Sequence, residues 1–204
     1  IYTLSLHDAL PIWIFGIKFC EELCRQHGLE LTVVSVPVAK FAAENGWSLE
    51  EAGRNARYKA FAEIAQKQQC SKTAVAHHKD DQAETVLFQM FRGSRLKGLA
   101  GMEAKNGSLV RPLLSVTREE IEEYLKEKKQ NFCIDRTNLE EEYTRNKIRH
   151  GILPVAKEVC AGAVEHVAEL SEYAGEVEKL LERLTEELFD SCARIDANNN
   201  VSIE

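Results

Sequence analysis

Two imidazoles and three carboxylates fall within eight consecutive residues, His77-His78-Lys79-Asp80-Asp81-Gln82-Ala83-Glu84. Carboxylates grouped in this way can hold Mg2+ on the phosphates of a nucleotide, because a hard cation takes hard oxygen donors. The same spacing supports a plainer role. Asp81 followed three positions later by Glu84 has the form of a capping box, in which two side chains satisfy backbone N–H groups at a helix start. Both roles put the cluster where a helix begins. His77 and His78 then line a site or are ordinary polar loop residues.

A strand must deliver this turn and a helix must carry it away. Thr73-Ala74-Val75-Ala76 is short, apolar and partly β-branched, as a buried parallel strand is. Val86, Leu87, Met90 and Phe91 then recur at helical spacing. In open α/β sheets, ligands bind beyond the carboxyl ends of strands, where such a strand-to-helix turn lies.

The flanking sequence repeats the alternation. Trp13 to His27 predicts a helix with Phe15, Phe19 and Leu23 on one face and Gly28 as its stop. Leu29 to Val36 predicts a strand. Ser48-Leu49-Glu50-Glu51 opens a helix to about Gln68, which carries Arg54 and Arg57 one turn apart, as surface charge or as a basic face for a ligand. Gly93 to Gly107 reads as a loop, Leu109-Val110-Arg111 as a short strand ended by Pro112, and Thr117-Arg118-Glu119-Glu120 as the start of a helix to about Lys129. Phe132 to Asn146 looks irregular, and Ile148 to Cys160 helical around Pro154. The sum predicts an α/β fold with a doubly wound parallel sheet. From Gly162 onward, Val164, Val167, Leu170, Tyr173, Val177, Leu180, Leu181, Leu184 and Leu188 predict one long acidic helix that packs in a core or against another domain. Asn198-Asn199-Asn200 predicts a turn before a strand at Val201-Ser202-Ile203.

The length of 204 residues allows one ample core, or one domain plus part of another. No apolar run is long enough to span a bilayer, so no membrane partner is expected. The six cysteines lack zinc or redox spacing and suit reduced thiols, which predicts a cytoplasmic location. A net charge of −7 argues mildly against nucleic-acid binding over the whole surface. Local clusters run the other way: Arg92, Arg95 and Lys97 form one, and Arg145, Lys147, Arg149 and His150 another. Each is a solvated face or an RNA-binding patch.

Three segments together settle which family the chain resembles. They are the His77–Thr85 run, Phe91-Arg92-Gly93-Ser94-Arg95-Leu96-Lys97-Gly98-Leu99-Ala100-Gly101-Met102, and Asp135-Arg136-Thr137-Asn138 followed by Tyr143-Thr144-Arg145-Asn146-Lys147-Ile148-Arg149-His150. In order and spacing they resemble the tRNA(Ile)-lysidine synthases, members of the N-type ATP pyrophosphatases, from about Phe19 to the C-terminus and most strongly over Ser48–Pro154. The resemblance implies a Rossmann-like domain of the adenine nucleotide alpha-hydrolase type and a ligase that uses ATP with Mg2+. Such an enzyme adenylates the wobble cytidine in the CAU anticodon of tRNA(Ile) and joins free L-lysine to it. By the same resemblance Asp81, Arg57 and Arg145 are catalytic, with Asp81 also the Mg2+ ligand. His77, His78, Asp80, Glu84 and Arg54 line the site, and Arg92, Arg95, Lys97 and Arg149 bind tRNA. A homodimer is left open.

The beginning departs from the family pattern. Those enzymes open with a strand and a Ser-Gly-Gly-x-Asp-Ser loop, whereas the eleven glycines here include no adjacent pair. Residues 1–12, Ile-Tyr-Thr-Leu-Ser-Leu-His-Asp-Ala-Leu-Pro-Ile, read as twelve codons of a sequencing adapter. The expectation is therefore a non-native segment 1–12, although Tyr2–Leu6 has strand-like composition, a partial catalytic domain 13–150 that lacks its first strand, and a helical linker and start of a tRNA-binding domain in 151–204. Without a glycine loop to cradle phosphates, this chain is expected to be inactive. The alternatives are a tRNA-thiolating ATP pyrophosphatase, although no Cys-x-x-Cys occurs, a non-catalytic tRNA-binding module, or a remnant that does not fold.

Overall fold

The computed structural model of the chain describes residues 2–6, 11–133, 144–195 and 201–203. In chain order the elements are β1 (Tyr2–Leu6), α1 (Pro11–His27), β2 (Leu31–Ser35), α2 (Val38–Asn45), α3 (Leu49–Lys67), β3 (Thr73–Ala74), α4 (Lys79–Phe91) and α5 (Leu96–Leu99). There follow β4 (Lys105–Asn106), β5 (Leu109–Val110), α6 (Arg118–Glu127), α7 (Thr144–Lys147), a π-helical turn (Ile148–Ile152), α8 (Leu153–Val159), α9 (Ala163–Cys192), β6 (Ala193–Ile195) and β7 (Val201–Ile203). Two compact units interleave along the chain: Ile1–Val75, Lys105–Val110 and Glu123–Glu140 make the first, and Ala76–Ala104, Arg111–Glu122 and Glu141–Glu204 the second.

In the first unit β1 and β2 pair in parallel, from Tyr2 opposite Leu31 to Leu6 opposite Ser35. Part of the segment 1–12 is thus paired with the chain that follows it. Tyr2-Thr3-Leu4-Ser5-Leu6 has strand-forming composition and a hydrogen-bonding edge to meet. Pro11 and Ile12 belong to α1, where a proline in the first turn sacrifices no helical hydrogen bond. The helix stops as predicted at Gly28, whose φ of +64° reverses the chain, and Leu29 N–H closes onto Cys24 O at 2.8 Å.

Helix α2 is an addition to the sequence expectation. It buries Val38 and Ala42 against Ala52 of α3, with Val36, Phe41 and Trp47 packed around them. Ser48 caps α3, its hydroxyl accepting the Glu51 N–H at 3.2 Å. Strand β3 lies parallel to β5, with Thr73 opposite Leu109 and Ala74 opposite Val110, and β4 is antiparallel to β5. The α/β class with parallel strand pairs thus holds, the described strands of this unit forming a β1–β2 pair and a β3–β5–β4 sheet.

The second unit is built on helices. Ala83 of α4, Ile148 of the π-turn, Leu153 of α8 and Val164 of α9 form its core, with Leu87, Phe88 and Val167 packed on them. The predicted long helix is present as α9, which buries Val164, Ala168, Ser171 and Ala174 along one stripe. The segment expected to be a strand at Val201–Ile203 pairs antiparallel with β6. Within the Gly93–Gly107 loop the structure forms α5 and β4. Asp135-Arg136-Thr137-Asn138, Tyr143 and Asn198-Asn199-Asn200 lie outside the described residues. Among those described, no helix is long and apolar enough to cross a membrane.

Candidate active site

The turn into α4 is fixed from both sides. Lys79 N–H donates to Val116 O at 2.9 Å, and His78 N–H donates to the Asp81 Oδ2 at 3.0 Å. His78 therefore flanks the helix start, and Asp81 is the residue that reaches back to it. The expected Asp81–Glu84 capping box is thus corrected. The His78–Asp81 spacing serves the same purpose one turn earlier, and an acid in the first turn suits the positive helix end.

Glu84, released from capping, is buried at 3 % exposure. Its carboxylate takes a two-pronged bond from Arg149, with Nε to Oε1 at 2.6 Å and Nη2 to Oε2 at 2.9 Å. The same Nη2 donates to Asp81 Oδ1 at 3.0 Å. Parallel N–H···O bonds of this kind are the strongest ion-pair geometry available to arginine. Arg149 comes from the π-helical turn, which Leu153 N–H closes onto Ile148 O. The widened turn leaves Ile148 in the core and turns its neighbour toward α4, and such turns recur at functional sites. Arg149, expected to bind tRNA, is engaged by the two acids, because a buried carboxylate demands a partner.

Asp80 faces a different set. Its Oδ2 accepts the Arg118 N–H at 2.9 Å, Lys157 Nζ lies 3.6 Å from Oδ1, and His78 Nδ1 lies 3.6 Å from Oδ2. The two 3.6 Å separations are ion-pair distances rather than hydrogen bonds. Lys157 also reaches Glu119 Oε1 at 3.3 Å. Burial opposes ionisation of Asp80, but His78, the Arg118 N–H and Lys157 outweigh it and hold the carboxyl far below the usual range. For Glu84 burial dominates and pushes the pKa up, Arg149 offsetting only part of it. Burial also resists charging of His78, yet Asp80, Asp81 and Glu84 together raise its pKa. Arg149 is likewise held in its charged form by Glu84 and Asp81 against burial.

His77 accepts a hydrogen bond at Nδ1 from Arg111 Nε, 3.4 Å away. Arg145 lies half-buried on α7, which packs against α4. The basic loop after α4 is anchored by the buried Gln82: its Nε2 donates to Met102 O at 3.1 Å and Ser171 Oγ at 2.9 Å, and its Oε1 accepts Met102 N–H at 2.8 Å. Gly101 is obligatory there, with φ of +63° and an ideal Cβ that would meet Gln82 Nε2 at 2.7 Å. Arg92 lies over the Phe88 ring at 5.3 Å, Arg95 flanks α5 and is exposed, and Lys97 pairs with Glu182 at 3.3 Å. Arg54 and Arg57 are exposed on α3 of the first unit, Arg54 lying 5.5 Å from the Tyr58 ring centroid.

The structure therefore joins His78, Asp80, Asp81, Glu84 and Arg149 in one network. Arg111, Lys157 and Gln82 were not anticipated, and no local pattern marks them, since each acts on a residue far away in sequence. Among the described residues, no three His, Cys, Asp or Glu side chains converge to hold a metal ion. The oxygen donors suit Mg2+ in its usual mode, in which one or two carboxylates assist substrate phosphates and water.

The acid network lies inside a stretch that matches a known protein family. The chain belongs to the PP-loop domain family, whose model matches residues 15–156. More specifically, it is 39% identical over 170 residues to the tRNA(Ile)-lysidine synthase of Bacteroides thetaiotaomicron, covering 83% of this chain and 40% of that protein. It is 41% identical over 180 residues to that of Caldanaerobacter subterraneus, covering 88% and 38%. The Chlorobaculum tepidum protein of the same name is 36% identical, covering 88% and 54%. The chain thus spans about two fifths to one half of the length of these relatives. Among solved structures, the U34-tRNA thiolase NcsA from Methanococcus maripaludis with its [4Fe-4S] cluster has a similar fold. Its TM-score is 0.64 at 15% identity, covering 88% of this chain and 62% of that one.

Proposed function

We propose that the chain carries the catalytic segment of a tRNA(Ile)-lysidine synthase, a cytoplasmic ligase acting on the CAU anticodon with ATP and free L-lysine. The observation that carries this reading is the Asp81–Glu84–Arg149 network at the start of α4, inside the stretch shared with PP-loop proteins. ATP adenylates the carbonyl oxygen at carbon 2 of the wobble cytosine, with release of pyrophosphate. The lysine amine then attacks carbon 2 and AMP leaves. Activation is needed because an amide-like oxygen is a poor leaving group and AMP is a good one. Catalysis of this kind rests on positioning and charge neutralisation.

Each side chain has a task in that scheme. Arg149 holds Asp81 and Glu84 in one fixed arrangement, so Asp81 keeps a set direction. Arg57 and Arg145 face the nucleotide or the adenylate, with Arg54, His77, His78 and Asp80 lining the site. Arg92, Arg95 and Lys97 grip the anticodon stem while the base leaves its stack, at a cost of a few kcal/mol. Mg2+ held by Asp81 would neutralise charge on the departing pyrophosphate. Residues 13–150 act as the catalytic part and 151–204 begin a tRNA-binding domain.

The test supplies a family-like Ser-Gly-Gly-x-Asp-Ser segment at the N-terminus and offers ATP, labelled lysine and a tRNA(Ile) transcript. Lysine-dependent pyrophosphate release with label in the tRNA is expected, and no turnover by the 204 residues alone. Sulfur-dependent turnover would mean thiolation instead. Salt-sensitive tRNA binding without turnover would mean a binding module.

A further inference from the structure

We infer that Gln82 is a positioning residue for RNA: its amide fixes the direction in which the basic segment Arg92–Lys97 meets a tRNA backbone. Its functional sense rests on the tRNA reading proposed above. Gln82 lies in the first turn of α4, directly after Asp81, and is buried at 5 % exposure. Successive helical residues point about 100° apart. Asp81 turns to Arg149, and Gln82 turns to the chain that comes back from the far end of the same helix.

That chain leaves α4 through Gly93, with φ of +73°, forms α5, and returns at Gly101 and Met102. Arg92 closes the helix, and Arg95 and Lys97 follow in the returning segment. No side chain of α5 is fully buried, so apolar packing alone does not set where the segment lies. Polar bonds close the loop. The Gln82 Oε1 accepts Met102 N–H at 2.8 Å and its Nε2 donates to Met102 O at 3.1 Å, as a neighbouring strand would. A peptide offers one donor and one acceptor, so this pairing fixes which end of the amide faces which group. The Nε2 also donates to Ser171 Oγ at 2.9 Å, and that hydroxyl gives its own proton to Ala168 O at 2.7 Å. Both ends of the amide are matched, and α9 holds it from behind. A buried amide in this state is costly to move. At the entry to the segment, Ser94 Oγ donates to Gln89 Oε1 at 2.8 Å, but that bond is only part-buried.

Loss of the amide frees the return end of the segment. Its cations must then be ordered at the moment of binding, which costs affinity, and fewer of them reach phosphate together. The Lys97–Glu182 pair is exposed on both sides and exchanges readily for phosphate.

The test titrates a CAU-anticodon tRNA(Ile) transcript against the 204-residue chain from about 50 to about 200 mM KCl, without ATP or lysine. Each phosphate contact steepens log affinity against log salt by about 0.7–0.9. Gln82→Met should flatten that slope by about 2 and weaken binding about tenfold, while the Met102 N–H loses protection from hydrogen exchange. A folded Gln82→Met with the parental slope and affinity would overturn the inference, since lost stability by itself leaves the slope unchanged. Ser171→Ala decides in its place if Gln82→Met does not fold. It keeps both bonds to Met102, should weaken binding about threefold with a shallower slope, and overturns the inference if it then binds as the parent does. Arg92→Gln, Arg95→Gln and Lys97→Gln combined should match the slope of Gln82→Met. A parental slope in that combined variant, or no salt-dependent binding by the parent chain, would overturn the inference as well. Absence of lysine transfer by the loop-restored protein would sink the ligase reading and leave these titrations standing.

Discussion

Replacing Arg149 by methionine should cost more than any other single change at the network. The substitution removes the two-pronged bond to Glu84 and the bond to Asp81 together. Glu84 would remain with a side chain only 4% exposed and no cation beside it. Removing one partner of a buried pair costs about 3–5 kcal/mol, and the lower end applies because the Arg149 side chain is itself 27% exposed. At roughly 2–4 °C per kcal/mol for a chain of this size, about 3 kcal/mol lowers Tm by about 6–12 °C. The pH dependence gives a second handle. Burial already holds the Glu84 pKa above its ordinary 4.5, and loss of Arg149 lifts it further. A raised acid pKa favours the folded state below the ordinary value, and that contribution disappears as pH rises through the folded value. The deficit of Arg149→Met should therefore be larger at about pH 8 than at about pH 4.5. Thermal melts at both pH values, with Glu84→Gln and the double variant, close the cycle. The double variant should recover at least about 1 kcal/mol of the single-variant loss. Equal melting of Arg149→Met and wild type at high pH, or additivity in the cycle, would refute the buried-pair argument.

Other perturbations read separate parts of the fold. Gly101→Ala should destabilise by about 1–3 kcal/mol in urea titration, since a Cβ there combines positive φ with a 2.7 Å approach to the Gln82 amide. Asp80 has a folded-state pKa depressed below its ordinary 3.8. Its stabilisation is complete above that value and is lost as pH falls toward the folded one, so Asp80→Asn should flatten the acid limb of the stability curve. Thr117→Ala removes the hydroxyl that accepts Glu120 N–H at 3.2 Å, and denaturant melts should show a loss of about 1 kcal/mol.

The long elements were legible because their periodicity is local. The Gly28 stop of α1, the Ser48 start of α3 and the length of α9 could be read directly, and Thr117 and Glu120 exchange hydrogen bonds as their spacing predicts. The packing stripe of α9 could not: Leu170, Tyr173, Leu184 and Leu188, expected to pack, are exposed, and Ala168, Ser171 and Ala174 are buried beside Val164 instead. Short elements were not. Helix α2 has only eight residues, marked by Pro37 before it and Gly46 after it, and β3 has two. At α4 the cluster was found but its capping pair was placed one turn late. Three-residue spacing fits both His78–Asp81 and Asp81–Glu84, and the bond from His78 N–H to Asp81 Oδ2 decides between them. The partner of Glu84 is 65 positions away. Arg149, surrounded in sequence by other bases, therefore read as part of a basic patch, with nothing local to mark it as the counter-ion of Glu84.

The most direct measurement is lysine transfer to tRNA(Ile) by the loop-restored protein carrying Asp81→Asn, alongside its thermal melt. Asparagine can still accept the His78 N–H, so folding should be largely kept. Removal of the charge should slow transfer on the order of 100-fold or more. Transfer within a few-fold of the unsubstituted protein, at an unchanged Tm, would make Asp81 a structural group and contradict the assignment of the α4 turn as the reacting centre.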